Sequence, residues 1–192
     1  MRTGRTFSWR LRTVLSALAL LIGLTSEAAA QQPALESAVK ATFLHRFGAF
    51  AEWPPTAFAA PNAPVVICVS GAPAFAAVVE RATGSELIGG RQVSVRALGS
   101  VSRNSGCHIL YVAGTSGQSV ADALRVVRGE PVLTVTDANN GATRGAVHFV
   151  LASDRVRFHI DRGAAEGNHV NLSSRLLDIA LSVRRRGGSG AR

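Results

Sequence analysis

The sequence predicts an α/β fold, a sandwich with a mostly parallel central sheet, helices on both faces and an antiparallel hairpin at one edge. Three observations predict it. Short apolar, β-branched runs alternate with amphipathic stretches of helical period along the chain. Runs such as Val65–Val69 are apolar throughout, which is typical of strands buried on both faces. Two later runs, Ala146–Leu151 and Val156–Ile160, flank a short polar turn and predict the hairpin.

The chain begins with a segment typical of a secretory signal. Four arginines precede a largely apolar stretch of eleven residues, Val14–Leu24, and small residues then lead to an A-x-A pattern at Ala28 and Ala30. At 1.5 Å per residue, eleven residues are too short for a membrane-spanning helix, which needs about 20. We therefore expect cleavage after Ala30 and export to the periplasm.

We expect the chain to have three parts. These are a signal peptide over residues 1–30, a single α/β domain over residues 31–186, and a flexible tail over residues 187–192. A domain of this size is large enough to bury one core.

The formal charge of +9 is concentrated at the two ends of the chain. The predicted signal carries four of the 21 basic residues and Glu27, which leaves 17 basic against 11 acidic residues. Four further arginines lie from Arg184 onward, so the body of the domain has 13 basic and 11 acidic residues. Such a nearly neutral body has no basic stripe for phosphates, and nucleic-acid binding is excluded.

Helices are predicted where apolar residues recur at spacings of three and four. Pro54 ends the first helix, and Pro73 opens the second because proline suits a first helical turn. The predicted helices are Leu35–Trp53, Pro73–Thr83, Ser116 or Ser119 to Val127, and Asn171–Arg185. The predicted strands are Val65–Val69, Arg91–Arg96, Cys107–Val112, Pro131–Val135, Ala146–Leu151 and Val156–Ile160.

The two cysteines form the sharpest candidate site. Cys68 and Cys107 both lie in apolar, strand-like runs, and an oxidising compartment allows them to form a bond. With two thiols only one intramolecular bridge exists, and we favour it. Two buried free thiols are the alternative, because cysteine also packs well as a small apolar residue.

The histidines and serines give no positive case for a metal site, a cofactor or catalysis. The five histidines show no H-x-x-x-H spacing and no Cys/His pair at metal-ligand spacing, although His148 and His159 are able to meet across the hairpin. Gly-x-Ser-x-Gly and phosphate-binding glycine motifs do not occur. Asp137 and Asp154 are interpreted as turn residues. We therefore predict no catalytic residue, no metal and no cofactor.

Two segments carry candidate partner-binding residues. Aromatic residues gather at the end of the first helix, with Phe47, Phe50 and Trp53, and half-exposed aromatics often anchor partners. The alternative is that they cap the core. At the start of the last helix, the serines before Arg175 suit helix capping, and Arg175 suits an ion pair with Asp178. Arg175 is kept as a fourth candidate partner contact.

An ordered series of short motifs resembles a known family. The motifs are Lys40–Leu44, Glu52–Pro54, Ile67–Val69, Gly89–Val95, Cys107–Leu110, Pro131–Val135, Phe149–Val150, Val156–Ile160 and Leu172–Leu177. In that order they closely resemble the YfiR family of periplasmic proteins over about residues 35–183.

The resemblance implies a regulatory protein without catalytic activity. A YfiR-like protein holds an inner-membrane diguanylate cyclase inactive by binding its periplasmic sensor region, which limits cyclic-di-GMP and biofilm formation. An OmpA-like outer-membrane lipoprotein is implied as a second partner, and a homodimer is considered. Cys68 and Cys107 match family cysteine positions, which strengthens the predicted bridge.

A second function class remains open from the residues. A sheet with parallel strands offers a crevice at the carboxyl ends of its strands, here near Ser70–Gly71 and Ala113–Gly114. A periplasmic small-ligand-binding module that serves a transporter or sensor is therefore the alternative hypothesis.

Overall fold

The computed structural model of the chain describes residues 32–185. The predicted signal peptide and the predicted tail from residue 187 onward lie outside these residues. Residues 37–185 belong to one compact unit, which contains the sheet and the residues discussed below as functional candidates.

The helices follow the apolar periodicity of the sequence over most of the chain. Helix α1 spans residues 32–49. Pro73 occupies the first turn of α2, and the Ser119 side chain caps α3 by accepting a hydrogen bond from the backbone N–H of Asp122. The remaining helices are α2 Pro73–Thr83, α3 Val120–Val126, α4 Arg162–Gly167 and α5 Ser174–Asp178.

The strands form an eight-stranded mixed sheet and a separate two-stranded ribbon. The strands are β1 Ala51–Glu52, β2 Val65–Ser70, β3 Leu87–Ile88, β4 Arg91–Leu98, β5 Ile109–Val112, β6 Leu133–Asp137, β7 Val147–Ala152, β8 Arg155–Asp161, β9 Asn171–Leu172 and β10 Ser182–Arg184. The order in the large sheet is β10-β8-β7-β6-β5-β2-β4-β3, and β1 pairs with β9 in the ribbon. Strands β4, β2, β5, β6 and β7 are parallel neighbours, whereas β8 runs antiparallel to β7. The predicted fold class is confirmed.

Side chains of the central strands alternate between two apolar clusters, one on each face of the sheet. On β5, Ile109 and Tyr111 enter the larger cluster with residues of α1, α2 and α5, while Leu110 and Val112 enter the smaller cluster with residues of α3. This alternation follows from the two-residue period of a strand. Helices therefore cover both faces of the sheet.

The predicted hairpin is confirmed, with β7 and β8 paired from Val147↔Ile160 to Ala152↔Arg155. Its two turn residues, Ser153 and Asp154, have φ angles of 50° and 55°, as a two-residue turn that matches strand twist requires.

The predicted last helix, Asn171–Arg185, is wrong in extent. Residues 171–172 belong to β9, α5 is only five residues long, and residues 182–184 form β10. The backbone N–H of Leu181 donates to the carbonyl of Phe158 at 2.8 Å, and β10 then pairs in parallel with β8. Hydrogen bonding to the sheet edge thus overrides a helical periodicity. The first helix likewise ends at residue 49, because residues 51–52 pair with β9.

Among residues 32–185, no helix is long and apolar enough to cross a membrane.

Candidate partner-binding site

The β1–β9 ribbon brings together the two segments in which the sequence placed candidate partner contacts. Ala51 lies opposite Leu172 and Glu52 opposite Asn171. The backbone N–H of Ser173 also donates to the carbonyl of Phe50 at 3.0 Å. The end of α1 and the start of α5, more than 120 positions apart in the chain, therefore meet at one place.

Phe47 does not belong to the exposed part of this region. Its side chain is 0% exposed. Its ring lies 5.6 Å from the ring of Phe149 and 5.0 Å from that of Phe158, measured between centroids. The prediction that Phe47 contacts a partner is corrected, because its side chain is enclosed in the core.

Phe50 and Trp53 are half-buried and pack against the larger core cluster. The Trp53 indole Nε1–H donates to the carbonyl of His108 at 3.2 Å, and its ring meets the His108 ring edge-on at 5.9 Å. A tryptophan held in this way loses little side-chain entropy on binding. Both residues have the burial and support expected of anchor residues.

Arg175 is exposed on α5, three residues after the ribbon. In the described chain its guanidinium has no ion pair, so the expected pair with Asp178 is not formed. The expected serine cap is not formed either, because Ser173 occupies the N-cap position while its Oγ is buried without a hydrogen-bond partner in the described residues. We call Phe50, Trp53 and Arg175 the ribbon surface.

The side chains of His108, Phe58 and Arg91 form a stack next to Trp53. The Phe58 ring stacks on the His108 ring with centroids 4.4 Å apart, and the Arg91 guanidinium lies 3.8 Å above the Phe58 ring. Arg91 also donates to the carbonyls of Pro61 and Ala63 at 2.6 and 2.9 Å. This stack fixes the proline-rich segment that follows Trp53.

His108 is the neutral centre of this stack. Its Nδ1 accepts the backbone N–H of Val66 at 3.0 Å, so the ring proton lies on Nε2, 3.2 Å from the carbonyl of Ala57. Burial lowers the pKa of His108, the hydrogen bond to Ala57 opposes this, and the positive charge of Arg91 lowers the pKa further. The sequence indicated a structural role for His108, because it is the polar residue at the start of a buried strand.

Cys68 and Cys107 form a disulfide, with their Cα atoms 5.7 Å apart. The bridge links β2 to the segment that leads into β5, within the smaller core cluster. It therefore ties the middle of β2 to the segment directly before β5. No free cysteine remains.

His148 and His159 do meet across the hairpin, where they are directly paired. The described residues contain no group of three His, Cys, Asp or Glu side chains that could hold a metal ion. The two histidines therefore lack the third protein ligand of a metal site.

The turns near Ser70–Gly71 and Ala113–Gly114, where a crevice was expected, approach each other closely. A Cβ atom on Gly71 would lie 2.0 Å from the carbonyl oxygen of Gly114. The small-ligand hypothesis stays a prediction.

A buried polar network that the sequence did not reveal lies beside these strand ends. Lys40 Nζ is 2.5 Å from Asp137 Oδ2, which also accepts from the Tyr111 hydroxyl at 3.2 Å. The amide of Asn140 donates to the same hydroxyl at 3.1 Å. Asp137 also has the turn role predicted for it, because its Oδ1 accepts the backbone N–H of Asn139. The network anchors α1 to the ends of β5 and β6.

Residues 37–181 match the YfiR/HmsC-like family, a domain family designated DUF4154. No curated protein matches the chain. The family is regulatory and non-catalytic, and its members are periplasmic. Since the match spans most of the chain and agrees with the motifs of the sequence, the chain belongs to the YfiR/HmsC-like family of periplasmic regulators.

Proposed function

We propose that this protein represses an inner-membrane diguanylate cyclase by binding the cyclase's periplasmic sensor region. Repression limits cyclic-di-GMP and hence biofilm formation. The observation that supports the proposal is that β1–β9 pairing joins the segments that carry two half-buried aromatics, Phe50 and Trp53, and the exposed Arg175. Family membership supports a regulatory role over an enzymatic one.

The composition of the ribbon surface supports protein binding. Tryptophan and arginine are the residue types most enriched among the side chains that dominate interface energies. Trp53 is held by a hydrogen bond and a ring contact, so its orientation is fixed before binding. Arg175 offers a cation that has no ion-pair partner in residues 32–185 and therefore favours an acidic group on the sensor region.

The direct test is binding of the purified protein to the purified periplasmic region of the cyclase encoded in the same genome. Arg175→Glu should weaken binding roughly tenfold or more, because it reverses a charge at the contact. Arg155→Glu is the matched control, since Arg155 is an exposed arginine at the tip of the β7–β8 hairpin. Equal loss in both variants would show that only overall charge matters and would contradict the ribbon surface.

The cellular test is the level of cyclic-di-GMP. Deletion of the gene should raise it, the wild-type gene should restore it, and the Arg175→Glu gene should fail to restore it while the Arg155→Glu gene succeeds. An unchanged level after deletion, with the cyclase present and active, would reject the repressor role.

An OmpA-like outer-membrane lipoprotein is proposed as the partner that sequesters the repressor. If it uses the ribbon surface, the lipoprotein and the sensor region compete, and Arg175→Glu weakens both complexes. Simultaneous binding of both partners would contradict a shared surface.

A homodimer is proposed as a further assembly, and sedimentation of the purified protein tests it.

A further inference from the structure

A groove at the β7–β8–β10 edge of the sheet carries a cluster of basic side chains that the ribbon surface does not use. Its volume is about 520 Å³, and it is lined by Arg144, His148, His159, Asp161, Ser182 and Arg184. Small-molecule sites have volumes of this order. The groove contains two guanidinium groups and one carboxylate, so its net charge is +1 with both histidines neutral.

The two imidazoles are held side by side with one nitrogen each already engaged. His148 and His159 are paired in register on neighbouring strands, which places both rings on one face of the hairpin. His148 Nδ1 lies 2.8 Å from the Thr136 hydroxyl, and His159 Nδ1 lies 2.6 Å from the Ser182 hydroxyl. Neither Nε2 atom has a hydrogen-bond partner within residues 32–185.

The Thr136 hydroxyl lies 2.8 Å from His148 Nδ1 and 3.4 Å from the carbonyl of Val147. Where the hydroxyl donates to Nδ1, the neutral ring carries its hydrogen on Nε2, and a protonated ring has the same Nε2–H. In these two states each histidine has an N–H that its neighbouring hydroxyl does not use.

Arg144 completes the cluster. Burial is the main cause that lowers the pKa of His148 and of His159, and the positive charge of Arg144 is the next cause for both. The guanidinium is therefore within electrostatic range of the two rings. It has no ion pair in the part of the chain that the structure describes, whereas Arg184 is paired with Asp161.

The backbone next to Arg144 is held against the sheet by a hydrogen bond. The N–H of Gly145 donates to the Thr136 hydroxyl at 2.9 Å. A Cβ atom at Gly145 would lie 2.9 Å from the carbonyl oxygen of Thr134, so only glycine allows the segment to pass this close to β6. This contact fixes the backbone next to Arg144 at the hydroxyl that also lies 2.8 Å from His148 Nδ1.

We propose that this groove binds a tetrahedral oxyanion of the phosphate or sulfate type, with Arg144, His148 and His159 as donors. Three N–H donors match the several acceptor oxygens of such an ion. A metal cation is disfavoured, because Arg144 repels it and the described residues hold no cluster of three ligands. The site is independent of the proposed repressor function.

Titration of the isotope-labelled protein with inorganic phosphate at constant ionic strength, followed by amide NMR, tests the proposal. Saturable shifts are expected at the amides of Gly145, His148 and His159. Arg144→Gln should weaken binding roughly tenfold or more, since a hydrogen bond to a charged group is lost. His159→Gln should weaken it in the same direction.

Three further measurements test which kind of ligand the groove binds. Arg81→Gln removes an exposed arginine on α2 and should leave phosphate binding unchanged. Acetate should bind more weakly than phosphate. Comparison of phosphate with phenyl phosphate identifies whether a free ion or a phosphate ester is preferred, and saturable binding of either supports the site. Non-saturating shifts, an equal loss with Arg81→Gln, or acetate binding as tightly as phosphate would overturn the proposal.

Discussion

Lys40 Nζ and Asp137 Oδ2 lie 2.5 Å apart in the interior, where the two side chains are 6% and 3% exposed. Lys40 comes from α1 and Asp137 from the end of β6, so the pair joins the first helix to the middle of the sheet. Removal of Lys40 leaves the buried Asp137 carboxylate without the positive charge next to its Oδ2.

We therefore expect Lys40→Met to lower the free energy of unfolding by about 3–5 kcal/mol. The double variant Lys40→Met, Asp137→Leu should recover much of this loss, since no isolated charge remains. Denaturant unfolding of the wild type, both single variants and the double variant measures the coupling. Additive losses would show that the two charges do not interact.

The Cys68–Cys107 disulfide closes a loop with a sequence separation of 39. In the chain-entropy description, loss of such a crosslink costs about 4 kcal/mol. Cys68→Ala, Cys107→Ala should lower the denaturation midpoint accordingly. A reductant should lower the midpoint of the wild type and leave that of the double variant unchanged. An equal response of both proteins would contradict a stabilising role for the bridge.

The free energy of unfolding should decrease as the pH is lowered, because His108 must remain neutral to accept the N–H of Val66. Its pKa is lowered in the folded protein from the ordinary value of 6.5, mainly by burial. The unfolded chain thus binds more protons between the two pKa values, so the free energy of unfolding decreases as pH falls below about 6.5.

His148 and His159, whose pKa values are also lowered by burial, contribute in the same direction. The contribution of His108 is isolated with His108→Asn, which retains an acceptor for Val66 but does not titrate. Denaturant unfolding between pH 7.5 and pH 4.5 should show a smaller pH dependence for the variant. Identical slopes would contradict the assignment.

Two glycines with positive φ should differ sharply in their tolerance of alanine. Gly71 has φ +79°, and an added Cβ would lie 2.0 Å from the carbonyl oxygen of Gly114. Gly89 has φ +57° with nothing within 4 Å. Gly89→Ala should lower the free energy of unfolding by only about 1–2 kcal/mol, because alanine must adopt a left-handed backbone conformation there. Gly71→Ala should cost considerably more, because backbone atoms must move. Thermal unfolding compares them, and equal losses would contradict the close approach.

Variants of Phe47 and Arg175 should distinguish an effect on stability from an effect on binding. Phe47→Ala should lower the free energy of unfolding by about 3–5 kcal/mol, since it opens a cavity beside Phe149 and Phe158. Arg175→Glu should leave it within about 0.5 kcal/mol of the wild type, as expected of an exposed side chain. Thermal unfolding of both variants measures this. A large loss of stability with Arg175→Glu would contradict its role as a free surface contact.

Much of the fold was predictable because the relevant signals are local. The β-branched run that became β2, the proline that opens α2 and the hairpin turn between β7 and β8 each act within a few residues. The disulfide was predictable for a different reason, since two cysteines allow one intramolecular pairing.

The errors arose where distant segments compete with local preference. Residues 182–184 have helical periodicity, yet their backbone groups pair with β8. The end of α1 gives way to β1 because β9 provides a pairing partner. In both cases a strand partner from elsewhere in the chain overrides the intrinsic tendency.

The sequence by itself determined the fold class, the cysteine pair and the resemblance to a regulatory family, since composition, periodicity and motif order express these directly. Only the tertiary structure decided that Phe47 is core and that the segments carrying Phe50, Trp53 and Arg175 meet through β1–β9 pairing. It also decided that Lys40 meets Asp137 and that Arg144 lies near His148. Burial and electrostatics depend on which segments pack together, and that is set by contacts between residues far apart in the chain.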